Sequence, residues 1–219
     1  VCDQSSNCDW ASINWTFEVD TKTPTVTITK NTTNLEIGID SINITWLATD
    51  TNLNTTIFNI TYPNGTILFD STNDSGEIIL TPNNLTTLGT YNINLWANNT
   101  AKNFNSTTDN FTVQDTTPPI VNLITPLNDT TTSLTNINFT FNATNTALKN
   151  ATLHIWNSTK DIYATNTTNI TGTFNQTTLT ITNFIDNKYE WNVLVCDQSS
   201  NCDWASINWT FEVDTKTPT

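Results

Sequence analysis

The sequence predicts an all-β fold, arranged as tandem β-sandwiches of about seven strands each. Three observations lead there. Apolar and polar residues alternate strictly in many short segments, which is the period of a half-buried strand. No segment sustains a helical period of apolar residues. The chain also repeats itself: residues 1–25 recur without change as residues 195–219, an offset of 194 residues. A long internal period marks a repeat architecture, in which one folded unit follows another.

The elements follow in chain order. Residues 1–22 read as the last hairpin and final strand of a preceding domain. Thr23-Pro24-Thr25-Val26 opens the first full domain, residues 23–116. There Ile42, Ile44 and Trp46 alternate with Asn43 and Thr45, and Tyr91, Ile93, Leu95 and Ala97 form a second series. Thr117-Pro118-Pro119-Ile120-Val121 opens the second domain, residues 117–217. Its strands are marked by Ile137, Phe139 and Phe141, then by Tyr189, Trp191, Val193 and Val195. Ile207, Trp209, Phe211 and Val213 alternate with Asn208, Thr210 and Glu212 and read as one last strand. Thr217-Pro218-Thr219 announces a further domain, so residues 218–219 read as its start. The two domains are copies of one plan. Residues 91–103 align with 189–201 without a gap, and Phe111-Thr112-Val113 matches Phe211-Glu212-Val213, with two more residues between in the second copy. The Thr-Pro junctions leave no flexible linker.

A domain of roughly 95–100 residues with about seven strands has the size of an immunoglobulin-type sandwich. Trp46 in an early strand, with Tyr91 after Leu88-Gly89-Thr90, resembles a fibronectin type III pattern. The late segments resemble the tandem Ig-like repeats of giant prokaryotic cell-surface proteins. The shared features are an aromatic-started strand, an Asp-x-x-Gly-Asn-like hairpin and an exit of the form Phe-x-Val-Asp-Thr-x-Pro-Pro. They stand here as Val195 to Cys202 and Phe211-Glu212-Val213-Asp214-Thr215-Lys216-Thr217-Pro218, and as Phe111-Thr112-Val113-Gln114-Asp115-Thr116-Thr117-Pro118-Pro119. The version with two cysteines is most similar to archaeal members. The hairpin glycine of that pattern is replaced by Ser200 and Lys102. The resemblance implies a sandwich fold and a surface setting; it implies no ligand.

Composition narrows the function. Charged residues are only 12% of the chain, the net charge is −13, and all seven basic residues are Lys. Such a chain lacks the basic surface that nucleic acids or anionic membranes require. No stretch approaches the roughly 18 apolar residues of a membrane span.

The four cysteines come in two pairs of identical spacing, Cys2 with Cys8 and Cys196 with Cys202. Facing positions of an antiparallel hairpin lie about 4.5–5.5 Å apart at Cα, which suits a disulfide. Free thiols and a metal site are the alternatives, although zinc wants four ligands and each hairpin supplies two. In the first domain the same positions are Asn98 and Phe104, so the fold does not require the bridge. A disulfide implies an oxidising, extracellular compartment.

Asn-x-Ser/Thr sequons number 20, more than the Asn, Ser and Thr content gives by chance. The acceptors are Asn14, Asn31, Asn43, Asn54, Asn59, Asn64, Asn73, Asn84, Asn98, Asn105, Asn110, Asn128, Asn138, Asn142, Asn150, Asn157, Asn166, Asn169, Asn175 and Asn208. An outward strand face built of Asn and Thr produces some of these automatically, as at Asn43, Asn138 and Asn208. The sequons in expected loops, at Asn64, Asn84, Asn128 and Asn157, have no such origin. Dense N-glycosylation is the expectation. It would solubilise a surface with few charges and shield sheet edges.

Nothing points to catalysis. One histidine, His154, cannot build a dispersed His-based site, and five glycines leave no phosphate-cradling loop. No enzyme and no cofactor are expected. Asp20, Asp115 and Asp214 precede the domain junctions, where Ca²⁺ is conceivable, but they read first as polar ends of strands. Trp96, Trp10 and Trp204 are candidates for display on the surface. The expected role is a structural segment of a long, glycosylated extracellular filament or stalk at the cell surface. Its partners would be neighbouring repeats, lateral copies or surface glycans. An adhesin that binds glycans or proteins is the alternative.

Overall fold

The structure, a computed structural model, describes all residues except 9–16, 18 and 218–219. The final strand expected before residue 22, Trp10, the sequon at Asn14 and the next domain's start therefore lie largely or wholly outside the described residues. Every regular element among the described residues is a β-strand. By internal contacts the chain divides into two compact units, Val1–Leu35 with Ser41–Thr112, and Glu36–Asp40 with Val113–Thr219.

The first sandwich uses β1 (Thr25–Lys30), β2 (Asn34–Glu36), β3 (Ile42–Thr49), β4 (Leu53–Thr61), β5 (Ile67–Ser71), β6 (Ser75–Leu80), β7 (Gly89–Asn99) and β8 (Phe104–Gln114). They form a three-stranded sheet, β1-β3-β6, and a five-stranded sheet, β2-β8-β7-β4-β5. The alternation read from the sequence sets the faces. Ile42, Ile44, Trp46 and Ala48 of β3 are buried, as are Tyr91, Ile93, Leu95 and Ala97 of β7. Trp46 stacks on Phe58 with centroids 4.1 Å apart and an interplanar angle of 8°. Its indole N–H donates to the Asn73 carbonyl at 3.0 Å. Lys30 and Asp109 form an ion pair joining β1 of one sheet to β8 of the other.

The second sandwich repeats the plan with β9 (Ile120–Thr125), β10 (Thr130–Thr132), β11 (Ile137–Thr144), β12 (Leu148–Asn157), β13 (Ile162–Asn169), β14 (Phe174–Ile181), β15 (Asn187–Asp197), β16 (Cys202–Trp204) and β17 (Trp209–Val213). The sheets are β14-β11-β9 and β10-β17-β15-β12-β13, with β16 on β15. Phe139, Phe184, Tyr189, Trp191 and Phe211 meet in one buried cluster. Tyr91 and Tyr189 each donate a hydroxyl hydrogen bond to a backbone carbonyl four residues back, Thr87 and Ile185, both at 3.0 Å. That is the tyrosine corner of Ig-type sandwiches. The fold class expected from the sequence is the observed one.

Two details differ from the expectation. Short strands β2 and β10 raise the count above seven; β10 pairs in parallel with β17. The strand expected across Ile207 to Val213 begins only at Trp209, and Ile207 is 59% exposed. The two extra residues of the second copy explain this. β8 runs unbroken, whereas residues 205–208 leave the ladder between β16 and β17. Asn192, only 2% exposed, holds that excursion in place. Its Nδ2 donates to the Ala205 carbonyl at 3.0 Å and to Asn208 Oδ1 at 2.7 Å, while its Oδ1 accepts from Ala205 N at 3.1 Å.

Candidate functional site

The hairpin between β15 and β16 places Cys196 opposite Cys202. The two are joined in a disulfide with Cα atoms 4.1 Å apart, and Cys2 with Cys8 in another at 3.9 Å. Asp197, fully buried, organises the turn. Its Oδ1 accepts from Asn201 N at 2.8 Å and its Oδ2 from Asn201 Nδ2 at 3.0 Å. Asp3 binds Asn7 in the same way, and Asn99 Oδ1 accepts from Asn103 N at 3.0 Å. The position that usually favours glycine is left-handed in all three hairpins: φ is 67° at Ser6, 69° at Lys102 and 71° at Ser200. Such a φ is uncommon for a side-chain-bearing residue, so the Asx bonds do the work a glycine would otherwise ease. Replacing Cys196 and Cys202 together by Ser should cost about 2 kcal/mol by the loop-closure relation. Urea denaturation of the two forms measures it, and the fold should survive, as the bridgeless first sandwich shows.

The segment leading into each sandwich is tied to that sandwich's hairpin. Asn99 Nδ2 donates to Asp20 Oδ2 at 3.0 Å and to the Lys22 carbonyl at 2.8 Å, and Asn103 Nδ2 to the Asp20 carbonyl at 2.8 Å. In the second unit Asp115 receives Thr146 Oγ1 at 3.0 Å, Ser199 Oγ at 3.1 Å and, at its carbonyl, Asn201 Nδ2 at 3.0 Å. Asp214 caps the backbone N–H of Lys216 at 3.0 Å, as Asp20 caps Lys22. Asp115 likewise accepts from Thr117 N at 3.3 Å, so the three junction aspartates serve as Asx caps, and two also receive hairpin donors. No group of three or more His, Cys, Asp or Glu is placed to hold a metal among the described residues.

The sequon asparagines divide cleanly from the buried ones. Every described acceptor is exposed or half-exposed. The two buried asparagines among the described residues, Asn99 and Asn192, begin no sequon. Asn43, Asn138, Asn142, Asn150 and Asn169 stand on outward strand rows, and Asn31, Asn64, Asn73, Asn84 and Asn128 in turns or loops; Asn157, expected in a loop, is the last residue of β12, where its backbone still pairs with Tyr189. Asn54 Nδ2 donates to Asn98 Oδ1, joining two acceptors across β4 and β7 at 3.2 Å. Asn59 and Asn110 are accessible on β4 and β8. Asn208, expected on an outward strand row, lies just before β17, while Asn166 and Asn175 stand on inward rows. The latter two pair with Leu153 and Ala143, on the core-facing rows of edge strands, and stay half-exposed because each sandwich is open at its sides. Asn105 Nδ2 is engaged with the Pro24 carbonyl at 3.0 Å.

The outer face of the larger sheet, five-stranded in the first unit and six-stranded in the second, carries aromatic rings in both. In the first, Trp96 is half-buried and lies against Phe104 at 6.4 Å. In the second, His154, Trp156 and Trp204 form a trio with centroids 4.9–6.1 Å apart. Trp204 is 38% exposed. Sequence reading found Trp204 and Trp96 but not Trp156 or the place of His154, because the meeting of β12 with β16 across β15 is not local. Beside the trio, Glu190 pairs with Lys160 and accepts from Asn208 Nδ2 at 2.5 Å. An open groove of about 400 Å³ begins there, lined by Asp129, Asn157, Lys160, Lys188, Glu190 and Glu212.

Burial holds the His154 imidazole below its ordinary 6.5. The Lys160 and Asn208 hydrogen bonds hold Glu190 below its ordinary 4.5, against burial. For Asp109, burial pushes upward but the Lys30 and Asn110 bonds outweigh it, and its carboxyl lies below 3.8. The unfolded chain therefore protonates His154 first as pH falls. Stability should be full above about 6.5, decline below it, and decline again in the acid range as the carboxylates titrate. Thermal melts from pH 8 to 3 test this; H154Q should remove the upper step and leave the lower.

No protein-family model and no curated protein matches the chain. Solved structures do, at low similarity. Trypsin-activated α2-macroglobulin from Escherichia coli shares 9% identity at a TM-score of 0.33, over 88% of this chain and 16% of that one. A structure concerning a 1.5-MDa bacterial ice-binding adhesin shares 12% at 0.34, over 90% and 67%. Dimeric latent PorU from Porphyromonas gingivalis shares 12% at 0.33, over 90% and 24%. No helix among the described residues is long and apolar enough to cross a membrane.

Proposed function

We propose that this chain is a structural segment of an extracellular surface filament or stalk. It is built of tandem Ig-like domains of the archaeal type, stapled by disulfides, free of cofactors and enzymatic activity, and coated with N-linked glycan. The observation that carries this reading is the division among the asparagines. The described sequon acceptors are all exposed or half-exposed residues, while the two buried asparagines among the described residues, Asn99 and Asn192, lie outside sequons. The unchanged recurrence of residues 1–25 at 195–219 supports the tandem arrangement. With only 12% charged residues, glycan would supply the hydration that charge normally supplies.

Glycopeptide mapping of the protein from its native surface tests the reading. Several occupied acceptors are expected, on a polypeptide much larger than 24.4 kDa. Bare asparagine throughout would end the glycan coat, and a deglycosylated species of 24.4 kDa would end the tandem chain. A second reading, an adhesin that binds glycans, is favoured by the partly exposed trio of His154, Trp156 and Trp204.

A further inference from the structure

Among the sequons, Asn208 has a setting of its own. It sits in the excursion between β16 and β17, with its carboxamide held from both sides. Oδ1 accepts from Asn192 Nδ2 at 2.7 Å, and Nδ2 donates to Glu190 Oε1 at 2.5 Å. Those partners locate it. In the β12–β15 register Glu190 lies opposite Trp156 and Asn192 opposite His154. The acceptor amide is thus held over β15, the strand directly beside β12, whose outward row carries the two rings. Trp204, on the same side, closes the trio by meeting His154 at 4.9 Å. An oriented amide therefore stands beside a partly exposed aromatic platform, with a carboxylate and Lys160 next to it.

We infer that Asn208 is a glycan acceptor whose first sugars lie over the His154–Trp156–Trp204 platform. This rests on the reading of the chain as a glycoprotein. A sugar ring offers a C–H face to aromatic rings and hydroxyls to polar neighbours, which is the combination this surface supplies. Attachment uses a glycosyl phosphate donor and a transferase. Asn208 Nδ2 bonds to the anomeric carbon, the C1–O bond breaks with its electron pair leaving on phosphate, and the amide releases one proton. One N–H remains on Nδ2 to keep the bond to Glu190. The platform then serves as the bed of the chain's own sugar, and the excursion of residues 205–208 serves to aim it.

The experiment is glycopeptide mapping of the secreted protein, followed by endoglycosidase release from the folded protein and from its W156A and W204A variants. Asn208 should be occupied, its innermost sugar protons should be shifted upfield by the rings, and either variant should speed release at Asn208 by about 2- to 10-fold. Release at Asn138, which lies on the other sheet, should not change. If Asn208 is bare while other acceptors are loaded, this inference fails and the glycan coat stands. If every acceptor is bare, both fail. If Asn208 is loaded but its sugar is unshifted and its release is unaltered in both variants, the platform has no part in holding it.

Discussion

Trp191→Ala should destabilise the second sandwich by about 3–5 kcal/mol, the range for truncating a large buried aromatic. Trp191 is among the largest fully buried side chains and meets Phe139 edge-on at 5.1 Å and Trp209 at 6.0 Å. Its removal would leave a void between the two sheets that the surrounding rings cannot fill without leaving their rotamers. The indole Nε1 is buried and has no hydrogen-bond partner among the described residues. Trp191→Phe should therefore cost well under half as much, because it deletes an unpaired donor together with the lost volume. Urea denaturation followed by near-ultraviolet circular dichroism distinguishes the two, and an equal loss for both variants would contradict the role given to the ring.

Gly76→Ala should destabilise the first sandwich by about 1–3 kcal/mol through overpacking. Gly76 lies directly opposite Trp46 in the β3–β6 register. A Cβ there would stand closer than 3.0 Å to Cζ2, Cη2 and Cε2 of that indole. The indole cannot retreat, because it is stacked on Phe58 and its N–H is bonded to the Asn73 carbonyl. The backbone at Gly76 is not left-handed, so the cost is steric rather than conformational. Trp46→Phe removes the atoms that clash. In the double variant the two losses should fall short of their sum by about 0.5–3 kcal/mol, the scale of coupling between touching residues. Simple additivity would refute the contact.

Both effects arise where strand alternation was plain in the sequence, and that pattern proved a good guide to the core. The inward sets of β3, β7, β11 and β15 were all legible because a period of two needs no knowledge of partners. The short strands β2 and β10 were not, since three residues hold too little alternation to register. Nor was the break at 205–208. Trp209, Phe211 and Val213 continue an alternation from Ile207, and only the bonds of Asn192 to Ala205 and Asn208 show that the ladder has stopped. The candidate site follows the same division. The cysteine pairs and sequons are written as short motifs. The trio of His154, Trp156 and Trp204 spans β12 and β16, which meet only by lying on one face of a sheet.

The amino-acid sequence by itself determined the long core strands, their inward faces, the repeated plan and the places where glycan can be attached. These depend on local spacing, whether a period of two or a tripeptide. Tertiary structure alone decided which asparagines are buried, which ring meets which, and which acceptor amide is aimed at an aromatic bed. Asn192 stands on β15 and Asn208 in the excursion just before β17. One is buried as a brace and the other is left open, because the excursion of residues 205–208 folds over the first and carries the second outward. That outcome depends on contacts between separate strands, and no local pattern encodes it.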